Sequence, residues 1–194
     1  MIIGLVGYKG SGKTTACNII KKHLDDVVQI NFKDALVQEL KDNFPDLLIE
    51  ICRMNYEENW RDEIVPSQKD INDLFTYKPP LVRTLMQNYG TNVVRKRDSD
   101  HWVNSWDEKV FDEVTDTNKS ILTDDVRFLN EATKVKRRGG ILIRLERTDL
   151  KATDTHQSET EQQQIECDYT ISVGAGELDK LESELVKILS ATIK

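Results

Sequence analysis

The octet Gly7-Tyr8-Lys9-Gly10-Ser11-Gly12-Lys13-Thr14 constrains the fold more than any other stretch of the chain. It fits G-x-x-x-x-G-K-[ST] at every fixed position. Four of the nine glycines fall within the first twelve residues, and the octet accounts for three of them. Such a loop works only between a buried strand and a helix. Ile2 to Val6 is a short apolar run suited to a strand buried on both faces, and Lys13 to Leu24 places Ala16, Ile19, Ile20 and Leu24 at helical spacing. Glycines let successive backbone N–H groups curl inward around a phosphate, and the helix N-terminus adds partial positive charge. In such a loop Gly7, Lys9, Gly10, Ser11, Gly12, Lys13, Thr14 and Thr15 line a nucleotide triphosphate. Lys13 reaches the β- and γ-phosphates, and the Thr14 hydroxyl is placed for Mg²⁺.

The rest of the chain alternates in the same way. A strand is expected over Val27–Phe32 and a helix over Asp34–Phe44, stopped by Pro45. Between Pro45 and Pro79-Pro80 the pattern blurs into an insertion, helical in part, with a polar stretch from Asn55 to Asp62. Leu85, Met86 and Tyr89 share a face up to Gly90, and Trp102, Trp106, Val110 and Val114 recur every four residues after Ser99-Asp100. Strands are expected over Lys119–Thr123, Ile141–Leu145 and Tyr169–Val173. Helices carry Leu129, Ala132 and Val135, closed by Gly139-Gly140, and then Leu178 through Leu189. Thr148 to Glu166 is polar, lacks Gly and Pro, and is expected to form a mobile flap. This alternation argues for an α/β fold of the P-loop NTPase type: three layers, a five-stranded parallel sheet with helices on both faces. It forms a single domain, with an insertion near residues 37–80 and a lid near 148–166.

Composition removes other classes. The chain has 194 residues, 27 Lys plus Arg and 34 Asp plus Glu, for a net charge of −7. An acidic surface does not attract nucleic acid non-specifically, so no nucleic-acid partner is expected. No apolar run approaches a membrane span. The N-terminus lacks a basic leader and cleavage site. The three cysteines, Cys17, Cys52 and Cys167, match no metal or disulfide spacing. A cytoplasmic location follows as the expectation. The basic runs at residues 95–97 and 136–138 read as solvated faces.

A glycine loop alone does not separate switches, motors and small kinases. No aspartate is followed by glycine three places later, and Asn118-Lys119 continues as Ser120-Ile121, so both GTPase signatures are missing. Helicases and transporters need more chain. A small kinase remains, and it requires cations for a second anionic substrate. Asp124-Asp125-Val126-Arg127 closes a buried strand at the edge where such sheets bind ligands. Asp125 or Asp124 could hold Mg²⁺ through water or order the acceptor, and an N-cap is the plain alternative. Arg127 would face the phosphates. Arg83, Arg144 and Arg147, each near an element end, look together like a phosphate clamp. Lys33 follows a strand end, where its charge opposes the helix dipole. Trp102 is either a stacking platform for a base or part of a core stripe with Trp106.

The sequence resembles the deoxynucleoside monophosphate kinases of bacteriophages. The likeness rests on Gly7–Thr14, Lys33-Asp34-Ala35-Leu36, and Arg83-Thr84-Leu85-Met86-Gln87-Asn88-Tyr89-Gly90-Thr91. It continues through Asp100-His101-Trp102-Val103, Asp125-Val126-Arg127 with Glu131, and Asp154-Thr155-His156-Gln157-Ser158-Glu159. The resemblance implies transfer of the ATP γ-phosphate to a deoxynucleoside 5′-monophosphate, with Mg²⁺ and small-molecule nucleotides as partners, in the host cytoplasm if phage-encoded, and a homodimer. Lys13, Asp125, Arg127 and Arg147 would then be catalytic. Phe32, Lys33, Arg83, Gln87, Gly90, Trp102, Asp125, Arg127 and Glu131 would meet the acceptor. Thr14, and Asp124 through water, would hold the metal. His156 and Glu159 would order the lid, and Arg144 and Arg147 compete as its arginine. Two rival readings stay open: a small-molecule kinase resembling dephospho-coenzyme A kinase, with Asp34 or Asp125 as general base, and a nucleotide-binding module without turnover.

Overall fold

A computed structural model describes residues 1–55, 65–117, 119–149 and 160–192. The chain divides into two compact units, the first formed by Met1–Phe32 with Val103–Lys194 and the second by Lys33–Trp102. The second unit is wider than the 37–80 segment assigned to the insertion.

The first unit is built on five parallel strands in the order β2-β3-β1-β4-β5. They are β1 (Ile2–Val6), β2 (Val27–Gln29), β3 (Ser120–Val126), β4 (Ile141–Arg147) and β5 (Tyr169–Val173). Alternation along β1 sorts the core into two layers. Ile3 and Leu5 join Leu122, Ile143 and Leu145 against α1 (Lys13–His23) and the C-terminal helix over Leu178–Thr192. Ile2 and Val6 join Ile121, Val126 and Leu142 against Trp106, Val110, Ala132 and Val135. Helices therefore cover both faces, as the alternating pattern requires.

The second unit is helical. It holds α2 (Lys33–Asn43), α3 (Pro45–Met54), α4 (Gln68–Tyr77) and α5 (Pro80–Gln87), then a π-helix over Asn88–Arg95. Pro45 stops α2 and opens α3 at its first turn, where the missing N–H costs nothing. Ser67 caps α4: its hydroxyl accepts from Asp70 N–H, while the Asp70 carboxylate accepts from Ser67 N–H at 2.8 Å. Leu40, Leu48, Ile51, Leu74 and Val82 form the core of this unit. The helix α6 (His101–Thr117) carries the chain from one unit into the next, followed by α7 (Leu129–Arg137) and α8 (Leu178–Thr192).

Several boundaries differ from expectation, among them the end of β4, at Arg147 rather than Leu145, and those of α2, Lys33–Asn43 rather than Asp34–Phe44. β2 ends at Gln29 rather than Phe32. β3 runs to Val126 rather than Thr123, so Asp124 and Asp125 lie inside a strand and are not a helix cap. Gln162 and Ile165, expected to belong to the flap, are instead buried around the short 3-10 turn Gln162–Gln164. Residues 150–159, with His156 and Glu159, lie outside the described residues.

Candidate active site

The glycine loop joins β1 to α1. Gly7 has φ +151°, and a Cβ there would stand 2.5 Å from the Leu145 carbonyl oxygen and 2.6 Å from Ser11 Oγ. No side chain fits. Gly12 precedes α1 with φ +97°, in the left-handed region, and open space surrounds it, so the backbone conformation alone selects glycine. The first turn of α1 has no acidic residue, whereas its last turn carries Lys21, Lys22 and His23. The positive N-terminal end of the helix is thus left for an external anion.

Lys13 Nζ donates to the carbonyls of Gly7 and, at 2.9 Å, Tyr8, so the ammonium lies across the loop. Lys9 and Gly10 are exposed at the apex, and Thr14 and Thr15 occupy the first turn of α1. Ser11 is only 3% exposed and, among the described residues, its Oγ has no hydrogen-bond partner. An orphaned buried hydroxyl costs roughly 1–3 kcal/mol. Here it lines a cradle that a Cβ at Gly7 would fill. These features fit a nucleotide phosphate.

At the neighbouring edge, β3 pairs with β1 through Gly4↔Thr123 and then Val6↔Val126, so β3 holds one extra residue at Asp124-Asp125. This bulge breaks the ladder next to the loop. Asp125 Oδ1 accepts from Phe32 N–H at 3.0 Å. Asp124 alternates with Leu122 and Thr123, which puts it on the α1 face of the sheet with Leu122. Among the described residues no three His, Cys, Asp or Glu side chains gather as a metal cage. One carboxylate and a threonine hydroxyl beside a phosphate cradle suit Mg²⁺, which keeps several waters and takes substrate phosphates as ligands.

Arg127 follows β3 and is half-buried. Glu131 is 3% exposed, and its Oε2 accepts from Arg127 N–H at 2.7 Å and Phe128 N–H at 3.1 Å. It caps α7 and fixes the backbone of Arg127. The two arginines of β4 also separate. Arg144 donates to the carbonyls of Gln162 at 3.0 Å and Ile165 at 2.6 Å, and so pins the chain that returns to β5. Arg147, at the strand's exit, forms two hydrogen bonds to Asp149, at 2.8 and 2.6 Å. That pairing holds the Asp149 carboxyl below its usual range.

Two expected substrate contacts are core residues. Phe32 is 3% exposed and stacks on Trp106 with ring centroids 4.8 Å apart. Trp102 is 3% exposed in the core of the second unit, and its indole N–H donates to Gly90 O at 3.1 Å. A stacking platform needs a bare face, and neither ring has one. Gly90 serves close packing, since a Cβ there would meet Leu36 at 3.0 Å. In the second unit Lys33 opens α2 and Arg83 and Gln87 lie one turn apart on α5. Among the described residues neither Arg83 nor Gln87 has a side-chain hydrogen-bond or ion-pair partner. Burial pushes the Cys52 and Cys167 thiols up, away from nucleophilic use.

Two polar groups were not among the expected site residues. Glu39 accepts from Tyr89 Oη at 3.0 Å and lies 2.5 Å from His101 Nε2. Asn31, 8% exposed, accepts from Asp124 N–H at 2.9 Å. The signal for Asn31 is a polar residue set between the apolar Ile30 and Phe32, in the stretch that continues β2.

A parallel sheet of this order, with a glycine cradle feeding α1 and arginines at the strand ends, defines a P-loop kinase. The chain belongs to the deoxynucleotide monophosphate kinase family, whose model matches residues 55–185. That match begins beyond the glycine loop, so loop and family are separate findings. Membership makes the chain a phosphotransferase, a kinase of deoxynucleotide monophosphates. A protein of Acanthamoeba polyphaga mimivirus, named "Putative deoxynucleotide monophosphate kinase", is 28% identical over 199 residues, covering 96% of this chain and 94% of the relative. The crystal structure of TT1252 from Thermus thermophilus superposes with TM-score 0.51 at 14% identity, covering 100% of this chain and 98% of that one. A dephospho-CoA kinase from Campylobacter jejuni reaches a TM-score of 0.44 at 14% identity, covering 97% and 95%. The likeness to TT1252 is one of fold.

Proposed function

We propose that the chain transfers the γ-phosphoryl group of ATP to a deoxynucleoside 5′-monophosphate, releasing ADP and the diphosphate. The observation that carries the donor half is the cradle of Gly7–Thr14 before α1, with its buried Ser11 hydroxyl that has no partner among the described residues. Loop N–H groups and Lys13 neutralise the β- and γ-phosphates. Lys13 leaves the Gly7 and Tyr8 carbonyls to do so. Bound Mg²⁺, held by Thr14 and through water by Asp124, would draw charge from the β- and γ-oxygens. Arg127 and Arg147 stabilise the charge on the group in transit, Arg147 after release from Asp149. Asp125 orders the strand end that presents Arg127.

The acceptor phosphate is bound by Lys33 and Arg83, and Gln87 borders its base or sugar. An acceptor oxygen of the monophosphate attacks the γ-phosphorus, its bond forms as the bond to the β-bridging oxygen breaks, and ADP leaves with that electron pair. The attacking oxygen is already ionised at neutral pH, so no general base is needed, and none of the carboxylates at the site has to serve as one. Action in the cytoplasm, a bacterial host's if the gene is a phage's, fits this substrate class.

A coupled ADP-release assay tests the reading over a panel of ribo- and deoxynucleoside monophosphates and dephospho-coenzyme A. ADP release stimulated by at least one deoxynucleoside monophosphate is expected. Stimulation by none of them overturns the proposal.

A further inference from the structure

The C-terminal end of the β2–β3 ladder is held by side chains rather than by backbone pairs. Regular pairing stops at Gln29↔Leu122, followed by one more backbone bond from Ile30 N–H to Leu122 O at 3.0 Å. Beyond it, Thr123 Oγ1 donates to Ile30 O at 2.7 Å, and Trp106 Nε1 donates to the same carbonyl at 3.1 Å and lies 3.0 Å from Thr123 Oγ1. Asp124 N–H then donates to Asn31 Oδ1, and Phe32 N–H donates to Asp125 Oδ1. The last two bonds are reciprocal. A side chain of the β2 extension holds the backbone of β3, and a side chain of β3 holds the backbone of the β2 extension.

The clasp answers a specific problem. Regular β2–β3 pairing ends at Gln29↔Leu122, and Ile30 O, the acceptor the next step of a parallel ladder would offer to Asp124 N–H, is occupied by Thr123 Oγ1 and Trp106 Nε1. A buried N–H left unpaired costs about as much as a lost hydrogen bond. Asn31 supplies the missing acceptor from a buried position, and its bond fixes the main chain at the residue whose side chain faces α1.

We propose that Asn31 is a positioning residue for phosphoryl transfer. Its amide oxygen holds the bulged backbone of Asp124, and thereby holds the Asp124 carboxylate where a metal-bound water can reach it. Thr123 and Trp106 brace the same clasp from beneath by fixing Ile30. The inference depends on the metal role given to Asp124 in the proposed function. Asn31 touches neither nucleotide in this scheme and acts through Asp124.

The test uses Asn31→Ala, Asp124→Asn and the double variant in the full chain. Asn31→Ala is expected to lower kcat about 10-fold and to raise the half-saturating Mg²⁺ concentration by a similar factor, the usual cost of removing a group that orients a metal ligand. The acceptor KM should stay within about twofold. Electron paramagnetic resonance of Mn²⁺ titrated into the protein with ADP gives a readout apart from turnover, and Mn²⁺ should bind about 10-fold more weakly to the variant. In the Asp124→Asn background, Asn31→Ala should add less than about twofold, because coupled residues are not additive. Additive losses, or unchanged metal dependence, overturn the inference, as does an Asp124→Asn variant with wild-type metal dependence. Should Asn31→Ala fail to fold, Thr123→Val loosens the same clasp with little change of volume. It should shift Mn²⁺ binding in the same direction, and wild-type Mn²⁺ binding by that variant refutes the brace. Wild-type protein without monophosphate-stimulated ADP release instead defeats the function proposed above, a different result from any of these.

Discussion

The two units hold their polar groups in different ways. In the first, the groups assigned to the phosphates lie on the glycine loop and the strands beside it and are held largely through backbone atoms, with Arg147 held instead by the Asp149 side chain. Gly7 abuts the Leu145 carbonyl, Asp125 grips Phe32 N–H, and Glu131 grips the N–H of Arg127. In the second unit the described elements are all helical, one of them the π-helix over Asn88–Arg95, and polar side chains do the distinguishing. Glu39 ties Tyr89 to His101, whereas Arg83 and Gln87 stand on α5 without such ties. A preformed backbone cradle suits chemistry on a constant donor. Untied side chains on a helix suit recognition of an acceptor. Substitutions in the two units should therefore fail differently.

The largest effect is expected for Lys13→Ala. Removing a charge aimed at the transition state costs on the order of 10²–10³-fold in kcat. The fold should persist, because the half-exposed Lys13 belongs to neither apolar core layer of the unit. Steady-state kinetics with circular dichroism checks both halves. A variant with normal kcat and only a raised ATP KM would make the lysine a binding group and blur the contrast between units.

Arg83→Ala should come next. A hydrogen bond to a charged group is worth about 1.5–3 kcal/mol, which is roughly 10–100-fold in affinity. The loss should appear in the acceptor KM, with the ATP KM unchanged. Because the half-buried Arg83 has no side-chain partner among the described residues, thermal stability should not fall. A lowered melting temperature with unaltered acceptor kinetics would make Arg83 structural and remove the main functional assignment in the second unit.

Legibility follows the same division. Strong apolar runs announced β1 and β5, and the bounds of both were read correctly. Asp124-Asp125 looks like the end of a strand because paired aspartates favour turns and caps. Long-range bonds from Asp124 N–H to Asn31 and from Phe32 N–H to Asp125 override that local preference, and no local pattern reports them. The same bonds explain why β2 ends early: its last residues bond to side chains. In the second unit the π-helix over Asn88–Arg95 has no signature in a 3.6-residue period. The tryptophan stripe of α6 was legible as a stripe, but Trp102 and Trp106 belong to different cores. Periodicity shows that a face is buried and leaves open which partner buries it. The glycine cradle was legible because its chemistry is local, as each residue acts through its own backbone or a side chain beside it.

The smallest expected effect concerns how the first unit keeps α7 in place under its site. Asp107 of α6 accepts from Lys134 of α7 at 3.1 Å and from Arg138, which caps the C-terminus of α7, at 2.6 Å. Asp168 accepts from Lys136 at 2.6 Å and from Leu142 N–H at 2.7 Å. Burial pushes both carboxyls up, but the hydrogen bonds from these cations, and for Asp168 from Leu142, outweigh it and hold both below the usual carboxylate range. A carboxyl depressed in the folded state binds its proton more readily when unfolded. Its contribution is therefore complete above the unfolded value near 4 and is lost as pH falls through the lower folded value. For partly exposed pairs this amounts to about 0.5–1 kcal/mol. Asp107→Asn should accordingly lower Tm at pH 7, and the gap to wild type should close as pH falls below the unfolded value near 4 and on through the lower folded value, where protonation does to the wild type what the substitution does at every pH. Calorimetric melts across that range measure the convergence. A gap that stays constant with pH would mean that Asp107 contributes through neutral hydrogen bonding alone, and that the charge of the α7 clamp is incidental to the edge from which Arg127 emerges.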